Sequence, residues 1–160
     1  MKIRKASLED LEMITLIEAR CFPEAEAATK EEFEARLKVF PEHFLLLEEE
    51  DQVIAFINGI VTDEKVIRDE MYEDAALHKE DGDWQTVFGL DTLPEYRRKG
   101  YAAHLMNALI DEAKMQGRKG CVLTCKEKLI HYYEKFGYKN YGVSGSTHGG
   151  VVWYDMRLEF

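Results

Sequence analysis

A chain of 160 residues, 46% hydrophobic and 11% aromatic, is the size of one domain (1–160) with material for a packed core, which excludes a disordered segment. Its 31 acidic and 21 basic side chains leave a net charge of −10, which argues against nucleic acid as the main partner, because phosphate binding needs basic surface. The longest apolar run is too short to cross a bilayer and the start MKIRKASLED lacks the apolar core of a signal peptide, so a cytoplasmic protein with no membrane partner is expected.

In chain order, residues 1–6 read as a short strand. Ser7 with Asp10 has the form of a capping box, followed by Leu8, Leu11, Ile14, Leu16 and Ile17 at helical spacing. A second box, Thr29 with Glu32, opens a helix carrying Phe33, Leu37 and Phe40 and ending near Pro41. The segments HFLLLEE (43–49) and QVIAFINGIV (52–61) are strand-like and separated by an acidic turn. Residues 62–83 are polar, with helical character around 65–77. WQTVFGL (84–90) is β-like, and Ala102, Leu105, Met106, Leu109, Ile110 and Ala113 then mark one face of a helix that exits between Gly117 and Gly120. A strand CVLTC (121–125), a helix over 127–136 and strands near 138–143 and 151–158 complete the chain. This order mixes neighbouring strands with βαβ crossovers and predicts an α/β layer structure around a mixed sheet. Cys21, Cys121 and Cys125 are odd in number and lack metal-ligand spacing, so they are expected to be reduced structural thiols.

The stretch EYRRKGYAAHLM (95–106) places Arg97, Arg98 and Lys99 just before Gly100 and the long helix. A helix start carries partial positive charge and usually attracts acids, so three cations there are costly unless a strong anion binds. Free N–H groups beside a glycine form an anion cradle that a pyrophosphate would fit. The alternative is a solvated basic turn neutralised by Asp91 and Glu95. The turn has neither the G-x-x-x-x-G-K-[ST] pattern of nucleoside-triphosphate loops nor the G-x-G-x-x-G of dinucleotide folds.

VFGLDTLPEYRRKGYAAHLM (87–106) resembles the acetyl-CoA-binding motif of the GNAT superfamily of N-acetyltransferases, in its [RQ]-x-x-G-x-[GA] form. IHYYEKFGYKNYG (130–142) is similar to that superfamily's following helix–strand segment. VIAFINGIV (53–61) with LHKEDGDWQTVFGLD (77–91) resembles the arylalkylamine N-acetyltransferase branch. The resemblance implies a mixed, mostly antiparallel central sheet flanked by helices, acetyl-CoA as co-substrate and no metal. It also implies that Arg97, Arg98, Lys99, Gly100, Tyr101 and Ala102 hold the CoA pyrophosphate. Backbone groups of Leu90, Asp91 and Thr92 are expected to meet the pantetheine arm, with Gly89 a bulge that splays the strand. Tyr133 is the expected proton donor to the departing thiolate. Since Leu129, Tyr133 and Phe136 share a helical face, Tyr133 also suits core packing, and Tyr132 is the alternative.

The chain departs from the arylalkylamine branch at the base. The two histidine positions of that branch are Thr86 and Phe88 here, and neither accepts a proton from an ammonium. Asp83, His78, Glu26 or a water chain are the replacements. His148, in SGSTHGG (144–150), reads as a loop residue, and Glu24 and Glu26 as acids that could attract an amine from a mostly solvated helical surface. The implied activity is acetyl transfer to a primary amine by direct attack in a ternary complex. A protein lysine or N-terminus as acceptor, and a non-catalytic acyl-CoA sensor, are the rivals. Exposed strand edges would permit a homodimer.

Overall fold

The structure, a computed structural model, describes residues 1–160. Both capping boxes form. Ser7 and Asp10 exchange side-chain and backbone hydrogen bonds, but the turn they open, Leu8–Asp10, is 3-10 and leads into α1 (Leu11–Cys21). Thr29 and Glu32 do the same for α2 (Lys30–Val39). Each box satisfies N–H groups that a helix start leaves bare, and is worth about 1 kcal/mol.

Strands β1 (Lys2–Lys5), β2 (Phe44–Glu49), β3 (Gln52–Asn58) and β6 (Gly89–Thr92) form an antiparallel sheet in the order β1-β2-β3-β6. Strands β4 (Val61–Thr62), β5 (Trp84–Val87), β7 (Gly120–Cys125), β9 (Tyr154–Glu159) and β8 (Lys139–Val143) form a second sheet, in that spatial order. Only β5 and β7 run parallel, joined by the crossover helix α4 (Tyr101–Met115). The architecture is therefore mixed α/β, mostly antiparallel and flanked by helices, as the motifs imply. Helical character in the polar segment shrinks to α3 (Asp69–Glu73) and a 3-10 turn at Ala75–Leu77, and the helix expected over 127–136 is a 3-10 turn followed by α5 (Ile130–Glu134).

The strand expected over 84–90 is broken at Phe88. The N–H of Phe88 reaches Asn58 O at 2.7 Å while Gly89 is the register partner of Asn58, so two residues face one. Such a bulge bends the strand, and here it sends β5 and β6 into different sheets. Gly59 makes the neighbouring reversal possible, because a Cβ there would lie 2.1 Å from Thr86 O. The core fills both sides of the first sheet. Phe33 of α2 meets Phe44 and Phe56 edge-on, and the predicted α4 face buries Leu105, Met106, Leu109, Ile110 and Ala113. No helix is long and apolar enough to cross a membrane.

A polar cluster closes the end of β5 away from the bulge. Gln85 Nε2 donates to Gly59, Ile60 and Thr86 carbonyls, so its Oε1 must accept from His43 Nδ1 at 2.9 Å. His43 Nε2 faces Glu80 Oε1 at 2.9 Å, so this buried ring bridges Gln85 and Glu80. His78 Nδ1 accepts from Val61 N–H, which leaves the proton on Nε2, pointed at the same Glu80 oxygen at 2.9 Å. A metal on these three groups would need that Nε2 lone pair, so the donor set suits a hydrogen-bond network. Desolvation would raise the Glu80 carboxyl, yet the bonds from His78 and His43 hold it down at about 2.

A carboxyl depressed in the folded state stabilises above its unfolded value, about 4.3 for Glu, and that contribution fades as pH falls toward 2. Thermal melts of Glu80→Gln followed by circular dichroism should therefore lie below wild type at neutral pH. The difference should narrow between about pH 4 and pH 2.

Candidate functional site

Where β5 ends, the two sheets part. β5 pairs with β7 as far as Val87 and Leu123, while β6 pairs with β3 alone, so a gap opens between Gly89–Thr92 and Thr124–Cys125. A cavity of about 450 Å³ occupies it. Leu93 N–H donates to Ile54 O, and the two-residue alternation of an antiparallel ladder then turns Asp91 toward β3. The main-chain groups of Leu90 and Thr92 face the gap instead. Of the three residues expected from the motif to offer backbone contacts, Asp91 spends its main chain on the ladder and buries its side chain behind the strand.

The cationic turn lies at one end of this cavity. Pro94–Tyr96 form a 3-10 turn, Arg98 and Gly100 take left-handed conformations (φ 64° and 84°), and α4 begins at Tyr101. The first helical bond is His104 N–H to Gly100 O, so the N–H groups of Tyr101, Ala102 and Ala103 have no helical partner and no side-chain cap. Neither proposed neutraliser reaches the turn's free cations: Glu95 pairs with Arg20 at 3.0 Å and Asp91 is buried. Arg97 Nε donates to Thr92 O at 3.1 Å and Tyr101 Oη to Glu49 at 3.0 Å. Arg98 and Lys99 are exposed and make no ion pair, with Lys99 Nζ 5.6 Å from the Tyr96 ring.

The opposite end is aromatic and charged. Phe88 lies tilted against Tyr72 at 4.8 Å, and Tyr72 stacks on His148 at 5.0 Å. The buried Arg36 guanidinium lies 4.8 Å from the Phe88 ring and donates to Asn58 Oδ1 and Tyr72 O. Glu18, Glu26, Glu32 and Trp153 complete this wall. The loop after β8 is anchored when Asp69 accepts from Ser146 and Thr147, and it folds over the cavity. There His148 Nε2 donates to Glu26 O at 2.7 Å, Trp153 Nε1 to His148 O at 2.7 Å, and Lys126 pairs with the Glu26 carboxylate at 2.8 Å. The segment between α1 and α2 is thereby clasped to the loop between β8 and β9.

Tyr133 lines the middle of the cavity with Tyr132 beside it at 5.2 Å. Burial, with Cys125 and Tyr132 near, pushes its phenol well up, so it stays protonated at neutral pH. Thr86 is fully buried and its hydroxyl bonds Ile60 O, away from the cavity. Asp83 pairs with Lys119, His78 is committed to Glu80, and Glu24 is exposed; none of the three reaches the cavity. Glu26 and His148 do, the latter through its loop's fold-over. Sequence reasoning missed Glu18, Arg36, Asn58, Tyr72 and Trp153. A signal existed for two of them: Glu18 falls on the stripe Leu11, Ile14, Cys21 and Arg36 on the stripe Phe33, Leu37, Phe40, charges where helical spacing calls for apolar residues.

Residues 11–138 match the model of the acetyltransferase (GNAT) family. Among curated proteins, serotonin N-acetyltransferase from Mesocricetus auratus is 26% identical over 122 residues, covering 76% of this chain; the chain spans 58% of that relative. Among solved structures, the GNAT-like decarboxylase GphF in complex with isobutyryl-CoA superposes with a TM-score of 0.86 at 17% identity, covering 99% of both chains. The PaiA N-acetyltransferase from Thermoplasma acidophilum in complex with coenzyme A superposes with a TM-score of 0.73 at 19% identity, covering 99% and 98%. At these identities the structures establish a shared fold.

Burial pushes the thiols of Cys121 and Cys125 up to about 12 and about 11, so at pH 8 only about one thiol in a thousand or fewer is ionised. An aromatic disulfide reagent at that pH should label neither in the native protein, and all three cysteines in denaturant. Rapid native labelling of Cys125 would show a thiol more active than its surroundings allow.

Proposed function

The chain belongs to the acetyltransferase (GNAT) family, and on that premise we propose that it transfers the acetyl group of acetyl-CoA to a small primary amine by direct attack in a ternary complex. One observation carries this: a single cavity runs from Arg97 and Ala102 at the bare start of α4, past Leu90 and Tyr133, to the wall of Glu18, Arg36, Tyr72 and Trp153. An extended thioester with an anionic tail fits that sequence of surroundings. The free N–H groups of Tyr101, Ala102 and Ala103, opened by Gly100, hold the pyrophosphate together with Arg97, Arg98 and Lys99. The gap-facing main chain of Leu90 and Thr92 lines up the pantetheine arm, and a main-chain N–H near Leu90 polarises the thioester carbonyl. The amine nitrogen attacks that carbon, the tetrahedral intermediate collapses, the C–S bond breaks, and Tyr133 returns a proton to sulfur. Cys121 and Cys125, held as thiols, have no acetyl group to carry.

A peptide acceptor needs an open groove through the acceptor end. The clasp of Glu26 with Lys126 and His148 lies across it, which favours a small amine. The aromatic walls Tyr72, Phe88 and Trp153 suit an arylalkyl body, in keeping with the acceptor that the name of the serotonin N-acetyltransferase relative states. Arg36 favours a second reading, decarboxylation of a carboxyacyl-CoA, since its buried Nε has no partner and the decarboxylase neighbour shares the fold. The acids Glu18, Glu26 and Glu32 around it weigh against an anionic acyl group.

Purified protein mixed with acetyl-CoA and a panel of alkyl and arylalkyl amines should release free thiol, and with peptides should not. Acetyl-CoA bound without turnover on any acceptor would make the protein a sensor, and conversion of malonyl-CoA to acetyl-CoA would make it a decarboxylase. Replacing Arg98 with Glu and Gly100 with Asp together should abolish acetyl-CoA binding by calorimetry while the circular dichroism spectrum holds, with a modest fall in melting temperature because Gly100 is left-handed; unchanged affinity would remove the cradle. Tyr133→Phe should lower kcat by about 10- to 100-fold with little change in KM for acetyl-CoA. Unaltered turnover would place the proton donor elsewhere.

A further inference from the structure

Four carboxylate oxygens at the acceptor end are buried without a hydrogen-bond donor: both of Asp91, Oε1 of Glu18 and Oε1 of Glu26, the last with the Lys126 ammonium 2.8 Å away. Asp91 is 1% exposed and Glu18 7%. Glu18 Oε2 accepts from Ala28 N–H at 2.9 Å, which fixes the side chain, while Oε1 is left on the cavity wall. The two carboxyls face the same space beside Gly89 with no protein donor between them, a setting in which one of the pair must hold a proton. Gly89 makes the space: a Cβ there would sit 3.0 Å from Asp91 Oδ1 and 3.7 Å from Glu18 Oε1. That also sets Glu18 beside the main chain of Leu90, where the thioester carbonyl is placed.

The other acids of the wall are engaged. Glu26 is paired with Lys126, and Glu32 Oε1 accepts from Thr29 N–H as half of the α2 capping box. His148 Nε2 is bonded to Glu26 O. We propose that Glu18, backed by Asp91, is the site that receives the acceptor's ammonium and takes its proton. This rests on the acetyl-transfer function above and names the base that function needs. Burial and the neighbouring Glu18 raise the Asp91 carboxyl well above the usual range, so Asp91 stays protonated beside Glu18. Asp91 is accordingly a positioning residue. Cys21 of α1, Arg36 of α2, Asn58 of β3 and Tyr133 of α5 face the pair, and Glu32 of α2 and Tyr72 of α3 face Arg36. Arg36 is the cation beside the pair, held by Asn58 Oδ1 and Tyr72 O and making an ion pair with neither carboxyl.

The proton count closes. The ammonium gives one proton to the Glu18 carboxylate and becomes a neutral amine. Its lone pair forms the C–N bond, the C–S bond breaks, and the second nitrogen proton goes to solvent as Tyr133 protonates the thiolate and is itself reprotonated. Glu18 then loses its proton to water.

The probe is 2-phenylethylamine, with thiol release followed from pH 6 to 10. Glu18→Gln keeps the acceptor for Ala28 N–H and should melt as wild type does. Its kcat/KM should be about 100-fold lower at pH 7, and the deficit should shrink about tenfold per pH unit as free amine appears. A merely structural residue would give a deficit independent of pH, and that result, or none, overturns the assignment. Asp91→Ala, which removes the donor beside Glu18, should lower kcat/KM at pH 7 at least about tenfold, and Asp91→Asn, which restores a donor, should recover most of that loss; equal losses in the two variants overturn Asp91's place as a neutral donor. Calorimetry on CoA-loaded protein separates this site from the acetyl-transfer function. 2-Phenylethylammonium should bind at least tenfold more tightly than 2-phenylethanol, and Glu18→Gln should erase that preference. Ammonium bound through Glu18 without turnover would end the acetyl-transfer function and leave the site standing; no preference for the ammonium would end the site.

Discussion

The structure depends on one mismatch in a hydrogen-bond ladder. Asn58 faces both Phe88 and Gly89, and from that point β5 and β6 belong to different sheets. A continuous strand would zip the two sheets together and leave no room between β6 and β7. The break costs ladder bonds and yields a gap whose walls still carry polar main-chain groups, which is what an amide-bearing, extended ligand arm can use. The bare start of α4 is aimed at the same gap because the turn after β6 is only a few residues long. The left-handed residues Arg98 and Gly100 set its direction.

The two ends of the cavity differ in how charge is handled. At the turn, Arg98 and Lys99 stand in water without an ion pair, so their mutual repulsion is screened until an anion arrives. At the acceptor end, Arg36, Glu18 and Asp91 are buried together, where charges interact strongly and unpaired ones are expensive. The first arrangement suits a ligand that exchanges on every cycle. The second suits a permanently organised environment in which small changes of protonation matter.

Much of the architecture is legible in the residues, for reasons that differ by element. The capping boxes at Ser7 and Thr29 and the apolar face of α4 are local patterns, and local patterns survive folding. The cationic turn is legible because three cations before Gly100 contradict the helix dipole. The split at Phe88 is not, since a bulge depends on what the partner strand does at Asn58. The acceptor wall is the hardest part to see. Glu18, Asp91 and Arg36 come from three elements, and only the tertiary fold shows that Asp91 turns its main chain to β3 and its side chain to α1. Thr86 and Phe88 illustrate the converse: their positions along the strand are plain, but Thr86 faces inward to Ile60 and Phe88 becomes a wall for Tyr72.

The clasp over the cavity has a consequence for how the molecule is assembled. Glu26 meets Lys126 across 100 residues of chain and His148 across 122. Contacts that close such long loops are entropically the slowest to form, whereas the helices and the β2–β3 hairpin need only near neighbours. On a growing chain the thioester gap and cation turn can take shape before the last fifth of the sequence exists, but the acceptor chamber cannot. A chain cut short after β8 would lack its roof, so loss of the carboxy-terminal segment uncouples the chamber for the acceptor from the cleft for the donor.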